Sequence, residues 1–125
     1  MTANVVTADL KAGGVRAAFD AVTAGEGDGD VRPPEAPRFT AGSTDHAEYL
    51  VLESAAARIA NRRAKGVLRM YSEHYPCAPC RDVMRQFLRA FPRMEIELGY
   101  TRGEPEPFVP DPVNARIEIT HVEPG

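Results

Sequence analysis

The segment PCAPCRDVMRQFLRAF, residues 76–91, carries the clearest structural pattern in the chain. Its apolar side chains recur at intervals of three and four, as on one face of an α-helix, at Cys80, Val83, Met84, Phe87, Leu88 and Phe91. Pro79 suits a first helical turn, where no hydrogen bond is lost, and Pro92 cannot continue a helix. The pattern therefore predicts an amphipathic helix over residues 79–91.

A second helix is predicted upstream, over residues 45–64, with Gly66 as its stop signal. Its candidate N-caps are Ser43, Thr44 and Asp45. Its apolar stripe comprises Leu52, Ala55, Ala56, Ile59 and Ala60. A short strand over residues 67–71 is predicted between the two helices.

Four further segments are predicted β-strands. Residues 94–100 and 115–122 alternate apolar and polar side chains, and residues 3–10 and 15–22 flank a glycine turn. The loop between the last two strands holds four prolines and cannot be an α-helix, whereas a parallel crossover usually contains one. We therefore expect the last two strands to be antiparallel.

The order of these elements predicts an α/β fold with a mixed sheet of about five strands and two main helices. Both helices are expected to cover one face of the sheet, leaving the other face partly open. The 125 residues suit one domain spanning residues 1–125. Residues 23–42, rich in glycine, aspartate and proline, are expected to form a long loop.

Composition narrows the possible functions. The formal net charge of -3 argues against a polyanion-binding domain as a whole, although the basic residues are mostly clustered arginines that could form a local groove. No apolar run approaches the roughly 20 residues of a transmembrane helix, and the N-terminus lacks the pattern of a signal peptide. The two cysteines are three positions apart, which predicts a metal or redox site rather than a structural disulfide.

Two short motifs carry the candidate chemistry. His46-Ala47-Glu48 lies at the start of the first helix, and Cys77 and Cys80 flank the start of the second. A histidine and two cysteines can bind zinc while leaving its fourth tetrahedral position open. The alternatives are a thioredoxin-like redox pair, or a closed zinc site completed by His74 or His121.

The motifs H-x-E and P-C-x-x-C together resemble the signature of zinc-dependent nucleobase deaminases, in the cytidine deaminase-like superfamily. The resemblance covers roughly residues 44–100. Within the superfamily, Tyr71-Ser72-Glu73 before the cysteines, and Val83 and Gln86-Phe87 after them, are similar to the deaminase domains of bacterial polymorphic toxins. Some of these toxins act on cytosine in DNA.

The resemblance implies a cytidine deaminase-like fold, with His46, Cys77 and Cys80 as zinc ligands and Glu48 as the group that moves protons. The implied reaction converts cytosine to uracil and ammonia. An antiparallel final pair of strands would favour cytosine over adenine by analogy with one branch of the superfamily. RNA, a free nucleoside, or a zinc-stabilised binding module without chemistry remain alternatives.

The implied substrate is single-stranded DNA, because its bases are presented without unstacking a duplex. The implied biological role is a toxin domain of a larger secreted protein, acting in the cytoplasm of a target cell and neutralised by an immunity protein. No membrane partner is expected.

Further candidate substrate-binding residues have equally plausible structural roles. Tyr75 could stack on a base or pack internally, and Phe39 and Phe108 could wall a pocket or anchor their loops. Arginines at helical spacing in the second helix could form a basic stripe that contacts phosphates, or simply a solvated face: Arg81, Arg85, Arg89 and, after the helix, Arg93. Arg32 and Arg38 precede the first helix and have the same two interpretations.

Two histidines outside the motifs are assigned no chemistry. His74 is expected to be a loop residue near the site, and His121 a buried core histidine on the last strand.

Overall fold

A five-stranded mixed sheet runs through the protein, of which the computed structural model describes residues 5–22, 39, 47–59, 61–107 and 110–122. The strands are β1 (Val5–Ala12), β2 (Val15–Val22), β3 (Gly66–His74), β4 (Met94–Arg102) and β5 (Ile117–His121). The helices are α1 (Ala47–Arg58), α2 (Ala78–Ala90) and a 3-10 helix (Pro112–Arg116). The predicted α/β class, mixed sheet and two main helices are confirmed.

The strand order in the sheet is β2-β1-β3-β4-β5. β1 is antiparallel to both β2 and β3, whereas β3, β4 and β5 are mutually parallel along the sheet. The carboxyl ends of these parallel strands therefore meet at one edge. Open α/β sheets bind their ligands at this edge.

Alternate side chains of three central strands face the helices and form the core. In β3 and β4 these buried residues include Leu68, Met70, Ile96 and Leu98. The opposite face is open in the part of the chain that the structure describes, as predicted. It carries an exposed Arg69–Glu97 ion pair and the half-exposed Tyr71.

The two helices differ in how much of their surface is buried. In α1, four consecutive residues from Tyr49 to Leu52 are buried, so this helix packs on most of its sides. In α2 the predicted apolar stripe is buried and Arg89 stays exposed. Within the described ranges, neither helix is long and apolar enough to cross a membrane.

The predicted antiparallel pairing of the last two strands is wrong, because β4 and β5 are parallel. The described part of the connection, residues 103–107 and 110–111, contains no α-helix, but a fully extended chain of nine residues can span about 30 Å, which is roughly the length of β4. The chain returns along α2, where Asp111 pairs with Arg89 and Arg116 donates to Leu88 O and Phe91 O. A crossover of this length does not need a helix.

The first helix is shorter than predicted. It ends at Arg58 rather than near position 64, and Gly66 instead begins β3. Asn61 explains the early end, because its side-chain oxygen accepts a hydrogen bond from Arg63 N and its carbonyl accepts one from Ala64 N. Asparagine favours turns of this kind over helix.

Candidate active site

Three elements converge at the carboxyl end of β3. The N-terminal turn of α1 supplies Glu48, the N-terminal turn of α2 supplies Cys77 and Cys80, and β3 supplies Ser72. Glu48 and the two cysteines, which lie about thirty residues apart in the chain, therefore meet at one site.

Glu48 is 3% exposed, although it is a carboxylic acid. Its Oε1 accepts a hydrogen bond from Ser72 Oγ at 3.1 Å, and its Oε2 accepts one from Cys80 Sγ at 3.5 Å. A buried acid needs such partners, because burial without them is costly. The carboxyl group is thus held between β3 and α2, with one oxygen directed towards the cysteines.

The cysteines flank the start of α2. Cys77 is the N-cap residue, its carbonyl accepts a hydrogen bond from Arg81 N at 2.9 Å, and Cys80 is buried in the first turn. Their sulfurs lie 3.2 Å apart and form no disulfide bond. This distance is far longer than a disulfide bond of about 2.05 Å. It is short enough for both sulfurs to reach one zinc ion, with Zn–S bonds of about 2.3 Å.

The electrostatics of the two cysteines and Glu48 favour a bound cation. The hydrogen bond with Cys77, burial and the negative charge of Glu48 together raise the pKa of the Cys80 thiol far above its ordinary value. These effects outweigh the dipole of α2, which on its own would favour a thiolate. A metal ion between the groups reverses the balance, since a coordinated thiol loses its proton. The residues present therefore fit a zinc ion.

The third predicted ligand, His46, lies outside the described residues, directly before α1. The described ranges contain no group of three or more histidine, cysteine, aspartate or glutamate residues arranged around one point. The described part of the site thus consists of the two sulfurs and Glu48, and the role of His46 stays a prediction.

Tyr75 and Arg81 brace the loop that carries the cysteines. Tyr75 OH donates to Glu106 O at 3.1 Å, and its ring packs edge-on against Tyr100. Arg81 Nη1 donates to Pro76 O at 2.9 Å, and its guanidinium lies 5.6 Å from the centre of the Tyr75 ring. The internal packing role that the sequence allowed for Tyr75 is the one that these contacts support.

The predicted basic stripe does not form as one exposed surface. Arg81 and Arg85 are only 5% and 7% exposed. Arg81 lies 3.5 Å from Glu106, Arg85 lies 3.2 Å from Asp82, and the exposed Arg89 pairs with Asp111. A contact between Arg81 or Arg85 and substrate therefore stays a prediction, and burial leaves little of either side chain accessible.

The Phe39 side chain is buried in the core. It is 6% exposed and packs against Phe87, with ring centroids 6.1 Å apart. Its backbone N–H donates to the buried Glu53 Oε2 at 2.8 Å.

Glu53 also affects Tyr49, which lies in α1 with it. Burial, together with the negative charge of Glu53 and its hydrogen bond, raises the pKa of Tyr49 to about 12. Arg32, Arg38 and Phe108 lie outside the described residues.

The two remaining histidines do not join the cysteines. His74 ends β3, and its carbonyl oxygen accepts a hydrogen bond from Ser72 Oγ at 2.7 Å. His121 is exposed, contrary to prediction, with Nε2 lying 3.1 Å from Thr101 O and its ring against Tyr100. His121 continues the alternation that places Ile117 and Ile119 on one face of β5. It is nevertheless exposed, because β5 is an edge strand and no described element covers the end of this strand.

Sequence reasoning gave Ser72 and Glu53 no role. Ser72 continues the buried series Leu68 and Met70 along β3, so extending the predicted strand by one residue would have revealed it. Glu53 carries no such signal, because its contact with Phe39 joins residues fourteen positions apart, which no local pattern links.

This fold and site define a deaminase-like α/β protein, with a buried carboxylate beside paired cysteines at a helix N-terminus. The profile of the toxin-deaminase family, described as the BURPS668_1122 family of deaminases, matches residues 28–102. The match covers more than half of the chain and includes both motifs, and the chain belongs to this family. A comparison with curated proteins gave no match.

Family membership confirms the resemblance to bacterial toxin deaminases. The protein is a deaminase domain of the toxin type, and its reaction class is the hydrolytic removal of an amino group.

Proposed function

We propose that this domain converts cytosine to uracil in single-stranded DNA by zinc-dependent hydrolysis. The observation that carries the proposal is the buried Glu48, whose Oε2 lies 3.5 Å from Cys80 Sγ. A carboxyl group in this position is close enough to the proposed zinc-binding sulfurs to exchange protons with a reacting water. It is held there by hydrogen bonds from Ser72 and Cys80, so it does not need to be a metal ligand.

Cys77 and Cys80 would hold the zinc ion together with His46. When bound, the ion supplies Lewis-acid activation of water, because zinc in such sites lowers the pKa of water towards neutrality. The chain contributes the thiol pair at the N-terminus of α2, where backbone N–H groups and the helix dipole favour negative charge.

Glu48 performs the proton transfers in this scheme. It accepts a proton as water adds to C4 of cytosine, delivers a proton to the ring nitrogen N3, and assists the departure of the amine as ammonia. Cytosine and water are thereby converted to uracil and ammonia. The burial of Glu48 keeps bulk water away from its carboxyl group, so protons pass between the acid and the reacting base.

Family membership supports deamination. The choice of cytosine in DNA rests on the resemblance of the chain to bacterial toxin deaminases, some of which act on this base. Single strands are favoured because their bases reach a closed site without unstacking. The parallel pairing of β4 and β5 removes the topological argument for cytosine over adenine. Adenine therefore belongs in the test beside cytosine.

The test is ammonia release, with product mass, from oligonucleotides that contain a single target base. Single-stranded DNA, duplex DNA and RNA of one sequence are compared, together with free cytidine and an adenine-containing strand. We expect release from single-stranded DNA with cytosine, a product heavier by one mass unit, and none when thymine replaces the cytosine. A preference for RNA, cytidine or adenine would reassign the substrate. Zinc without ammonia from any substrate would indicate a binding module.

The proposed toxin role also implies a specific inhibitor. A secreted deaminase that acts in the cytoplasm of a target cell would damage its producer, so we propose an immunity protein as partner. Expression of the domain alone should raise the frequency of C-to-T mutations in the host, and co-expression of the partner should abolish the increase. An unchanged mutation frequency from an active domain would contradict this role.

A further inference from the structure

Ser72 is a fully buried hydroxyl on the core face of β3. Its relative exposure is 0%, and its partners across the sheet are Val6 in β1 and Tyr100 in β4. The preceding residues on the same face, Leu68 and Met70, are apolar. A serine in such a series costs stability unless its hydroxyl is hydrogen-bonded, so its contacts require an explanation.

The hydroxyl bridges the strand and the catalytic acid. Ser72 Oγ lies 2.7 Å from His74 O and 3.1 Å from Glu48 Oε1. The carbonyl of His74 belongs to the last residue of β3, so it fixes the hydroxyl relative to the sheet. A hydroxyl has one proton to donate and can also accept, so Ser72 shares its proton between His74 O and the ionised Glu48, and accepts from Glu48 when that acid is protonated.

The contact distinguishes the two oxygens of Glu48. Oε1 faces Ser72, and Oε2 faces Cys80 Sγ at 3.5 Å. A glutamate side chain otherwise has considerable rotamer freedom, which opposes holding it in one orientation. Ser72 therefore limits the rotation that would turn Oε2 away from the cysteines.

We propose that Ser72 is a positioning residue that holds the carboxyl group of Glu48 in its reactive orientation. The proposal rests on the proton-transfer role proposed for Glu48. Ser72 does not touch the substrate, and its effect passes through the carboxyl group. Loss of the hydroxyl should therefore lower the rate of the chemical step while leaving substrate binding and metal binding unchanged. Misplacing a reacting group by about 1 Å can cost on the order of 100-fold in rate.

The experiment compares Ser72→Ala and Ser72→Thr with the parent protein on a single-stranded oligonucleotide that contains one cytosine. We expect Ser72→Ala to lower kcat by about 10- to 100-fold, with KM within about twofold and the zinc content unchanged. Ser72→Thr restores the hydroxyl and should recover most of the lost kcat. The melting temperature of each variant shows whether it folds like the parent.

Thr101→Ala is the matched control. Thr101 Oγ1 also donates to a β3 carbonyl, Glu73 O at 3.0 Å, but it contacts neither Glu48 nor the cysteines. Its removal should leave kcat close to that of the parent. A general weakening of the strand ends would instead lower kcat equally in Thr101→Ala and Ser72→Ala.

Four results would overturn the positioning role. These are an unchanged kcat in Ser72→Ala, a rise in KM that accounts for the whole loss, the loss of zinc, or a well-folded Ser72→Thr that stays as slow as Ser72→Ala. A parent protein that releases no ammonia from any substrate would refute the proposed function and the positioning role together. An active parent with an unaffected Ser72→Ala would refute the positioning role alone.

Discussion

The two ends of β3 use polar contacts for different purposes. At the carboxyl end, Glu48, Ser72 and Cys80 direct acid, hydroxyl and thiol groups at one another. At the amino end, Arg62 and Arg116 donate to backbone carbonyls at the end of α2, and these contacts hold elements together. The candidate active site is therefore identified by reactive side chains that contact one another, and not by burial alone.

A cavity at the amino end of β3 carries none of these reactive groups. A cavity of about 370 Å³ opens at the amino end, lined by Lys11, Lys65, Arg93, Glu95 and Arg116 among others. It contains neither a cysteine nor Glu48. The chemistry lies where a carboxyl group and two thiols are within hydrogen-bonding distance, which cavity volume does not measure. If this contrast is correct, substitutions at the carboxyl end remove activity, and substitutions at the amino end mainly remove stability.

The largest effect is expected from the cysteines. Cys80→Ala and Cys77→Ala each remove a proposed zinc ligand, so both variants should lose the metal and all measurable deamination. The melting temperature should also fall, because metal binding is coupled to folding. Metal analysis by mass spectrometry, with one zinc per chain expected in the parent, checks this. Zinc retained in both variants would place the metal elsewhere.

Gly66→Ala should destabilise the amino end without altering the chemistry. A Cβ atom at Gly66 would lie 1.9 Å from Lys11 O, because β1 passes directly beside it. Relief requires a backbone shift, which we expect to lower the free energy of unfolding by about 3 kcal/mol. Urea denaturation measures the loss, and kcat per folded molecule should remain that of the parent.

Gly14→Ala provides the control for this substitution. A Cβ at Gly14 meets no atom within 4 Å, so this variant should be as stable as the parent or slightly more stable. Equal stability of the Gly66 and Gly14 variants would show that the close approach of β1 and β3 is not a constraint.

Arg81→Gln tests the bracing of the cysteine loop against the earlier prediction of phosphate contact. It removes the hydrogen bond to Pro76 O and should lower the free energy of unfolding by about 1–3 kcal/mol. Because Arg81 is buried, the slope of oligonucleotide turnover against salt should remain that of the parent. Arg69→Gln, in an exposed ion pair on the open sheet face, is the stability control. A flatter salt slope in Arg81→Gln would restore the phosphate-binding role.

The smallest effect is expected at Asp111, and it depends on pH. The backbone N–H of Val113, together with Arg89, holds the pKa of the Asp111 carboxyl below its ordinary value of 3.8. A lowered folded-state pKa adds stability above the unfolded pKa, and this stability is lost as the pH falls through the folded value. Asp111→Asn should therefore melt slightly below the parent at neutral pH. The difference should shrink as the pH falls below about 4 and vanish only below the folded-state pKa of Asp111. A difference that stays constant with pH would exclude the charge of Asp111 as its cause.

Local patterns predicted much of the fold. The start and end of α2 were predicted to within one residue, because Pro79, the apolar stripe and Pro92 all act locally. α1 was predicted too long, because alanine-rich sequence continues the helical pattern past Asn61, whose side chain favours a turn. The direction of β5 depends on contacts of its connection with α2 that no local pattern reveals.

The residues of the candidate site could be predicted from the sequence where the proposed chemistry requires a particular residue type. Glu48, Cys77 and Cys80 belong to short motifs, and the structure brings all three together. Ser72 and Arg81 act through residues that are near only in the folded chain. Arg81 looked exposed because it sits beside the apolar stripe of α2, and it is buried because the loop after β4 folds over it.

The central claim is that Glu48 moves protons beside a zinc ion that it does not hold. The direct measurement is zinc content and ammonia release for the parent and Glu48→Gln, which keeps the shape of the side chain but cannot exchange protons in the same way. We expect equal zinc in both proteins and a loss of rate on the order of 1,000-fold in the variant. Deamination by Glu48→Gln at the parent rate, or loss of its zinc, would contradict the account.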